Sequence, residues 1–287
     1  PIVGITGSNG KTIVKEWLYQ LLSPEMNVTR SPRSYNSQIG VPLSVWLLNE
    51  QSQVGVFEAG ISEPGEMQAL RGIIQPDIAV LTFIGDAHQK NFSSLEEKCR
   101  EKVVLFHDTK TIVYCKDDEV VDRVVRSVGY KGENLAWSMS DRSAALFVES
   151  VERKGLTSTI HYIYNGETGE YVLPFIDEAS VRNSVTTAVV ALYLGLSRER
   201  LAERMASLEP VAMRLEVKKG QRGCTLINDS YNSDINSLDI ALDFMSRRPD
   251  HKGRKRTLIL SDIYQTGEPL DVLYKDCLLY TSPSPRD

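Results

Sequence analysis

The sequence predicts an α/β fold built on a mainly parallel sheet, and three observations carry that reading. The apolar run Ile2-Val3-Gly4-Ile5-Thr6 passes through a glycine-bearing tetrapeptide straight into a helical pattern, a strand-loop-helix opening. Further apolar runs at 54–57, 78–84 and 111–114 alternate with helical stretches, as in a helix-covered parallel sheet. A change of pattern after residue 144, to closely spaced β-rich runs, adds a small antiparallel part.

Each element has its own signal. Residues 12–22 put Ile13, Trp17, Leu18, Leu21 and Leu22 on one helical face, and 95–106 and 119–128 read as further helices. Runs at 145–152, 157–164 and 170–173 are joined at Lys154-Gly155 and Asn165-Gly166, dipeptides suited to hairpin turns. A strongly apolar helix over 180–194 precedes an amphipathic one over 198–207. Pro210 marks a linker, after which a strand at 225–227, a helix at 235–245 and a strand at 257–260 restart a βαβ pattern. The expected organisation is a central phosphate-loop domain over 1–208, the start of a Rossmann-like C-terminal domain over 211–276, and a tail over 277–287. The opening residue leads directly into the first strand, so an N-terminal domain is expected to be missing. The tail CLLYTSPSPRD has no periodicity; it resembles a translated sequencing adapter and is expected to be non-native, with a disordered Ser/Pro tail as the alternative.

Composition narrows the function. A formal net charge of -5 gives no basic field, and the run His251-Lys252-Gly253-Arg254-Lys255-Arg256 reads as a solvated loop before a strand, so no nucleic-acid partner is expected. Four cysteines lie far apart without a CxxC pair, which fits a reducing cytosolic setting rather than a disulfide or zinc framework. No apolar run approaches the ~20 residues that span a bilayer, so membrane insertion is not expected.

The loop Gly7-Ser8-Asn9-Gly10-Lys11-Thr12 has the parts of a phosphate cradle: glycines that let backbone N–H groups converge, a lysine for the terminal phosphates, and a hydroxyl for Mg²⁺. It departs from the strict G-x-x-x-x-G-K-[ST] spacing, because Ile5 stands at the first glycine position. Two later strands end in chemistry-bearing residues, Glu58 in Phe57-Glu58-Ala59-Gly60 and His88 in Gly85-Asp86-Ala87-His88, and open α/β sheets bind ligands at such ends. Taken alone, Glu58 also reads as a solvated strand-end acid and His88 as a loop hydrogen-bonder. Lys98, Arg100 and Lys102 likewise read as a solvated helix face.

The variant TGSNGKT resembles the phosphate loop of the Mur ligases, and the likeness continues through the loop Asn36 to Pro42 (NSQIGVP). That resemblance implies ATP and Mg²⁺ as cofactors, with Thr12, Glu58 and His88 around the metal. It also implies that Lys102, ahead of Leu105-Phe106, is a lysine carrying a carbamate, whose two oxygens place Lys102 at the same metal site. Asn183 falls in the family's adenine-side helix motif, although Arg182 replaces the usual histidine, and Arg214 matches an interdomain arginine. Asp229 and Tyr231, with Asn232 beside them, suit ribose and base contacts at a domain boundary; an Asx-turn capping the next helix is the alternative. The string DSYN resembles the branch of the family that joins D-alanyl-D-alanine to a UDP-N-acetylmuramoyl tripeptide through an acyl phosphate. Lys11, Lys102, His88 and Arg214 would then carry the catalysis. Another Mur ligase, a folylpolyglutamate synthase-like ligase and a non-catalytic nucleotide-binding regulator are the alternatives.

Overall fold

The computed structural model describes residues 1–85, 91–231, 235–247 and 256–261. The first half of the chain alternates strand and helix: β1 (Ile2–Thr6), α1 (Lys11–Leu22), β2 (Val28–Arg30), α2 (Gly40–Val45), β3 (Val54–Glu58), α3 (Glu66–Ile74), β4 (Ile78–Leu81), α4 (Leu95–Val103), β5 (Thr111–Val113), α5 (Glu119–Ser127) and β6 (Glu133–Asn134). These six strands form one all-parallel sheet in the order β2-β3-β1-β4-β5-β6. The order reverses direction around β1, so the loop after β1 opens between the ends of β3 and β4, the crevice where such sheets bind ligands.

Period-two alternation explains how the sheet is covered on both faces. Val54 and Val56 of β3, with Ile78 and Val80 of β4, face a core completed by Val14, Leu18 and Leu21 of α1. Phe57, Ala79 and Leu81 face the opposite core, filled by Met67 and Leu70 of α3, Cys99 and Val103 of α4, and Val121 and Val124 of α5.

The sheet hands over to β7 (Trp137–Ser138), which pairs in parallel with β8 (Leu146–Lys154); β9 (Thr157–Tyr164) and β10 (Glu167–Leu173) follow antiparallel. Asn165 and Gly166 both take left-handed φ values, 53° and 77°, as a two-residue hairpin turn requires. The inner face of this small sheet, through Val148, Ile160, Tyr162 and Tyr171, joins the first core. Helix α6 (Glu178–Tyr193) fills the space between the two sheets, and α7 (Arg198–Met205) packs beside it. Asp177 caps α6 through Ser180 N.

The structure departs from the sequence reading in several elements. The strand expected over 78–84 ends at Leu81, because Thr82 turns its hydroxyl to the carbonyls of Thr6 and Asn9. The helix expected over 95–106 tightens into a 3-10 turn at Val104–Phe106. After residue 211, β11 (Glu216–Lys219) pairs antiparallel with β12 (Thr225–Asn228), and α8 (Ile235–Arg247) follows. The strand expected at 257–260 is not formed: no sheet partner reaches it among the described residues, and Ile259 is 91% exposed. A local ribbon with a short connection closes at small entropic cost, whereas a parallel pair needs a long crossover.

Candidate active site

The phosphate loop is built on two glycines at which any side chain would be strained. Gly7 has φ 143°, and a Cβ there would lie 2.0 Å from Thr82 Oγ1. Gly10, at φ 89°, precedes α1, and a Cβ would lie 2.4 Å from Asn183 Oδ1. Asn183 of α6 is therefore packed directly against the loop. The loop is pinned on the β4 side as well: Ser8 N donates to Phe83 O at 2.6 Å and Ser8 Oγ to Gly85 O at 3.1 Å. Ile5, at the odd position of the motif, is a fully buried strand residue, so the cradle simply begins two residues later. No side chain caps the start of α1, which leaves the helix N-terminus facing the crevice as an anion site.

Register sets the carboxylate. Ile5 pairs with Glu58 at the end of β3, which brings Glu58, fully buried, beneath the first turn of α1. Thr12 Oγ1 donates to Glu58 Oε2 at 3.1 Å, and Asn36 Nδ2 donates to the same oxygen at 3.4 Å. Lys15 Nζ stands 3.0 Å from Oε1, close enough to ion-pair although not aligned as a hydrogen bond. Lys15 was not singled out from the sequence; its partner lies 43 positions away and only the parallel register reveals it.

Two lysines meet at one carbonyl. Lys11 Nζ donates to Gly7 O at 2.7 Å and Ser8 O at 2.9 Å, and Lys102 Nζ donates to Gly7 O at 3.3 Å. The solvated-face alternative for α4 fails for two of its three cations: Lys98 and Lys102 are 1% and 3% exposed, while Arg100 is exposed. Burial holds the Lys102 amine well below the usual lysine range, with the charges of Lys11 and Lys98 adding to the effect. Lys98 Nζ donates to Gly85 O at 2.6 Å.

A cleft of about 340 Å³ opens over these groups. Its walls are the loop 7–12, the segment 36–39, residues 60–62 and Glu66, and it is completed by Lys102, Arg214 and Tyr231. The Arg214 guanidinium lies 3.9 Å from the centre of the Tyr231 ring. Asp229 sits behind them, accepting from Leu215 N at 3.2 Å. Glu58, Asn183 and Asp229 support the cleft rather than line it. His88 and Asn232 lie outside the described residues. Among the described residues no three His, Cys, Asp or Glu side chains gather, so a cation here would draw its remaining ligands from phosphates and water. No helix among them is long and apolar enough to cross a membrane.

The model of the Mur ligase middle domain matches residues 5–191. The chain belongs to the Mur ligase family. It is 26% identical, over 100% of its length, to the UDP-N-acetylmuramoyl-tripeptide--D-alanyl-D-alanine ligase of Bacillus subtilis (strain 168), of which it spans 61%. The ligase of the same name from Borreliella burgdorferi is 28% identical, over 96% of the chain and 58% of that relative. The Mur ligase fold is seen again in a crystal structure of MurF from Acinetobacter baumannii, with a TM-score of 0.78 at 22% identity over 93% of the chain and 58% of that structure. MurF from Thermotoga maritima, solved in complex with ADP, gives 0.74 at 25% identity over 86% of this chain and 57% of that one. The chain thus spans about three fifths of the curated relatives it matches.

Proposed function

We propose that this chain is the nucleotide-handling part of an ATP-dependent amide ligase that joins D-alanyl-D-alanine to a UDP-N-acetylmuramoyl tripeptide. The observation that carries the reading is the convergence of Lys11, Lys102 and the glycine loop on one cleft, in a chain whose relatives bear that ligase's name. The ADP complex of the Thermotoga maritima relative supports ATP as the nucleotide.

In this reading a carboxylate oxygen of the tripeptide attacks the γ-phosphorus of ATP, ADP departs, and an acyl phosphate forms. The free amine of D-alanyl-D-alanine then attacks the acyl carbon, phosphate leaves, and the amine proton is lost. The chain contributes positioning and charge: the backbone of 7–10 cradles phosphate, and Lys11 swings from its own loop carbonyls to the transferring group. Arg214 adds a cation from the far wall of the cleft, and Tyr231 offers a flat face to the base, with Asp229 toward the ribose; Asn232, expected at the same nucleotide, lies outside the described residues. Asn183 keeps the loop in its left-handed turn at Gly10.

The donors present fit Mg²⁺: a hydroxyl and a carboxylate oxygen 3.1 Å apart are hard oxygen ligands beside a phosphate cradle. Thr12 and Glu58 would hold the ion, which would offset charge developing on the phosphates; His88, a further ligand that the family resemblance implies, lies outside the described residues. Lys102 has the setting a carbamate needs, since a buried amine with a lowered pKa is available as a neutral nucleophile. Its nitrogen would attack the carbon of CO₂ and lose a proton, exchanging a cation for a two-oxygen acceptor. Residues 1–208 and 211–276 act as two domains closing on the nucleotide, in the cytoplasm, where ATP is available.

The test measures ADP binding to the chain by calorimetry, and phosphate release in a version extended to the length of its relatives. Lys11→Ala is expected to abolish productive ATP binding, and phosphate release is expected only with tripeptide and dipeptide together. Phosphate release indifferent to the dipeptide, or unchanged in Lys11→Ala, overturns the assignment.

A further inference from the structure

We propose that Lys15 is a positioning residue that leaves Glu58 only one carboxylate oxygen for a cation, and thereby sets the site for magnesium over calcium. The proposal rests on the reading of Thr12 and Glu58 as the metal site. Its basis is a division of labour between the two oxygens of one buried side chain. Oε2 is met by the Thr12 hydroxyl at 3.1 Å and by Asn36 at 3.4 Å, on the cleft side of the carboxylate. Oε1 has the Lys15 ammonium 3.0 Å away, and both side chains are 0% exposed.

Sequence spacing makes this arrangement possible. Thr12 and Lys15 are three apart on α1, so they share a face one turn deep, and β3 ends opposite that face. Lys15 is held from three sides. It donates to the carbonyl of Arg33, a residue at a left-handed φ of 48°, and ion-pairs with Glu16 at 3.1 Å as well as with Glu58. Arg33 belongs to the loop that supplies Asn36 and the cleft wall 36–39, so one ammonium ties the phosphate helix, the β3 carboxylate and that wall together.

The consequence follows from how the two cations use carboxylates. Calcium accepts bidentate carboxylates in a loose shell of six to eight oxygens, whereas magnesium demands a tight octahedron and takes a single carboxylate oxygen readily. An ammonium fixed at Oε1 opposes bidentate approach by charge and by occupancy, and leaves Oε2 usable. A purely structural ion pair would stabilise the fold without any bearing on which cation the site prefers.

The experiment titrates MgCl₂ or CaCl₂ into the 287-residue chain with a fixed amount of fluorescent ADP, so no turnover is needed. In Lys15→Met the half-saturating Mg²⁺ concentration is expected to rise about tenfold, the scale of losing a group that orients a metal ligand. The half-saturating Ca²⁺ concentration is expected to stay or fall, so the ratio of the two shifts. Lys15→Arg, which keeps the charge, is expected to retain most of the wild-type ratio. If Lys15→Met does not fold, Lys15→Gln carries the same comparison. Equal shifts for both cations, or none, overturn the proposal and leave Lys15 a structural residue. Glu58→Gln separates the two levels: unchanged metal dependence in that variant overturns the metal-site reading itself, and this proposal with it.

Discussion

Gly10 and Gly65 have nearly the same backbone, φ 89° and ψ -17° against φ 88° and ψ -15°, and each precedes a helix. Their surroundings differ. A Cβ on Gly10 would collide with Asn183 Oδ1, while one on Gly65 would meet nothing within 4 Å. Gly65→Ala is therefore expected to lose only the left-handed penalty, about 1–2 kcal/mol. Gly10→Ala is expected to lose more, and to weaken ADP binding as Asn183 is displaced. Urea unfolding of both variants checks this, and equal losses would show that Asn183 does not shape the loop. Lys102 supports a pH argument with a definite sign. Its folded pKa is lowered, first by burial and then by Lys11 and Lys98, so between that lowered value and the ordinary 10.5 the unfolded chain holds a proton the folded chain lacks. Stability should rise with pH across that window, by at most about 1.4 kcal/mol per pH unit from this one group. Lys102→Met, which keeps the buried stem and removes the amine, should flatten the rise in carbon-dioxide-free buffer between pH 7 and 9. An identical slope in the two proteins would mean that Lys102 is solvated and charged. The burial of Lys102 was missed, since Lys98, Arg100 and Lys102 alone read as a solvated helix face and only the family resemblance singled Lys102 out, whereas the phosphate loop was legible because its chemistry is local. Lys15 was not, because a lysine inside a helix reads as a surface residue until the sheet register supplies its carboxylate.

At the scale of elements, apolar periodicity was legible for most of the longer helices and strands, with α3 the exception. Helix α1 was read over 12–22 and spans Lys11–Leu22; of its expected stripe, Trp17, Leu18, Leu21 and Leu22 are buried and Ile13 is only partly so. Strands β2 and β11, helix α2 and the two-residue strands β6 and β7 were missed, since two to six residues carry too little pattern to separate from a loop, and the nine-residue helix α3 was missed as well. Helix α2 is harder still: Ile39, Leu43 and Trp46 around it are exposed, so burial does not follow hydrophobicity there. The reverse holds on α4, where Lys98 and Lys102 point inward because their ammonium groups reach the carbonyls of Gly85 and Gly7. Leu18 tests the packing that positions the loop. It is fully buried on α1 against the sheet, and Leu18→Ala should cost about 2–5 kcal/mol by denaturant unfolding. A loss below about 1 kcal/mol would mean that α1 is held by its polar contacts at Glu58 and Glu209 and not by its apolar face.

For the whole molecule, the distribution of core residues argues where the chain can be cut. Among the described residues, the buried members of both apolar clusters lie at or before Leu208: the second ends with Ala136, and beyond Leu208 the first gains only the partly buried Val211, while Phe244 of α8 is the one buried apolar side chain further on. The last tie of that body is polar, with Glu209 bonded to Trp17 Nε1 at 3.2 Å and to Gln20 at 2.8 Å. Past it, the described residues form the ribbon β11–β12 and helix α8, which reaches back to the loop through Ser237 and Asn9 at 3.3 Å. A chain ending after Pro210 should therefore fold, with an unfolding free energy within about 1–2 kcal/mol of the longer chain, because both apolar clusters stay whole and Phe244 is the one buried apolar side chain removed among the described residues. Its nucleotide affinity should not survive equally well. Among the described residues, Arg214 and Tyr231 are the cleft's only wall from the later part of the chain, and their stacked pair is worth about 0.5–2 kcal/mol when it closes on a ligand. The shortened chain should bind ADP several-fold more weakly while melting cooperatively, as calorimetry and denaturant unfolding can each read. Equal ADP affinity would remove Arg214 and Tyr231 from the nucleotide site. Loss of cooperative unfolding would show instead that the segment after Pro210 is part of the central fold, so the two results separate a binding error from a boundary error.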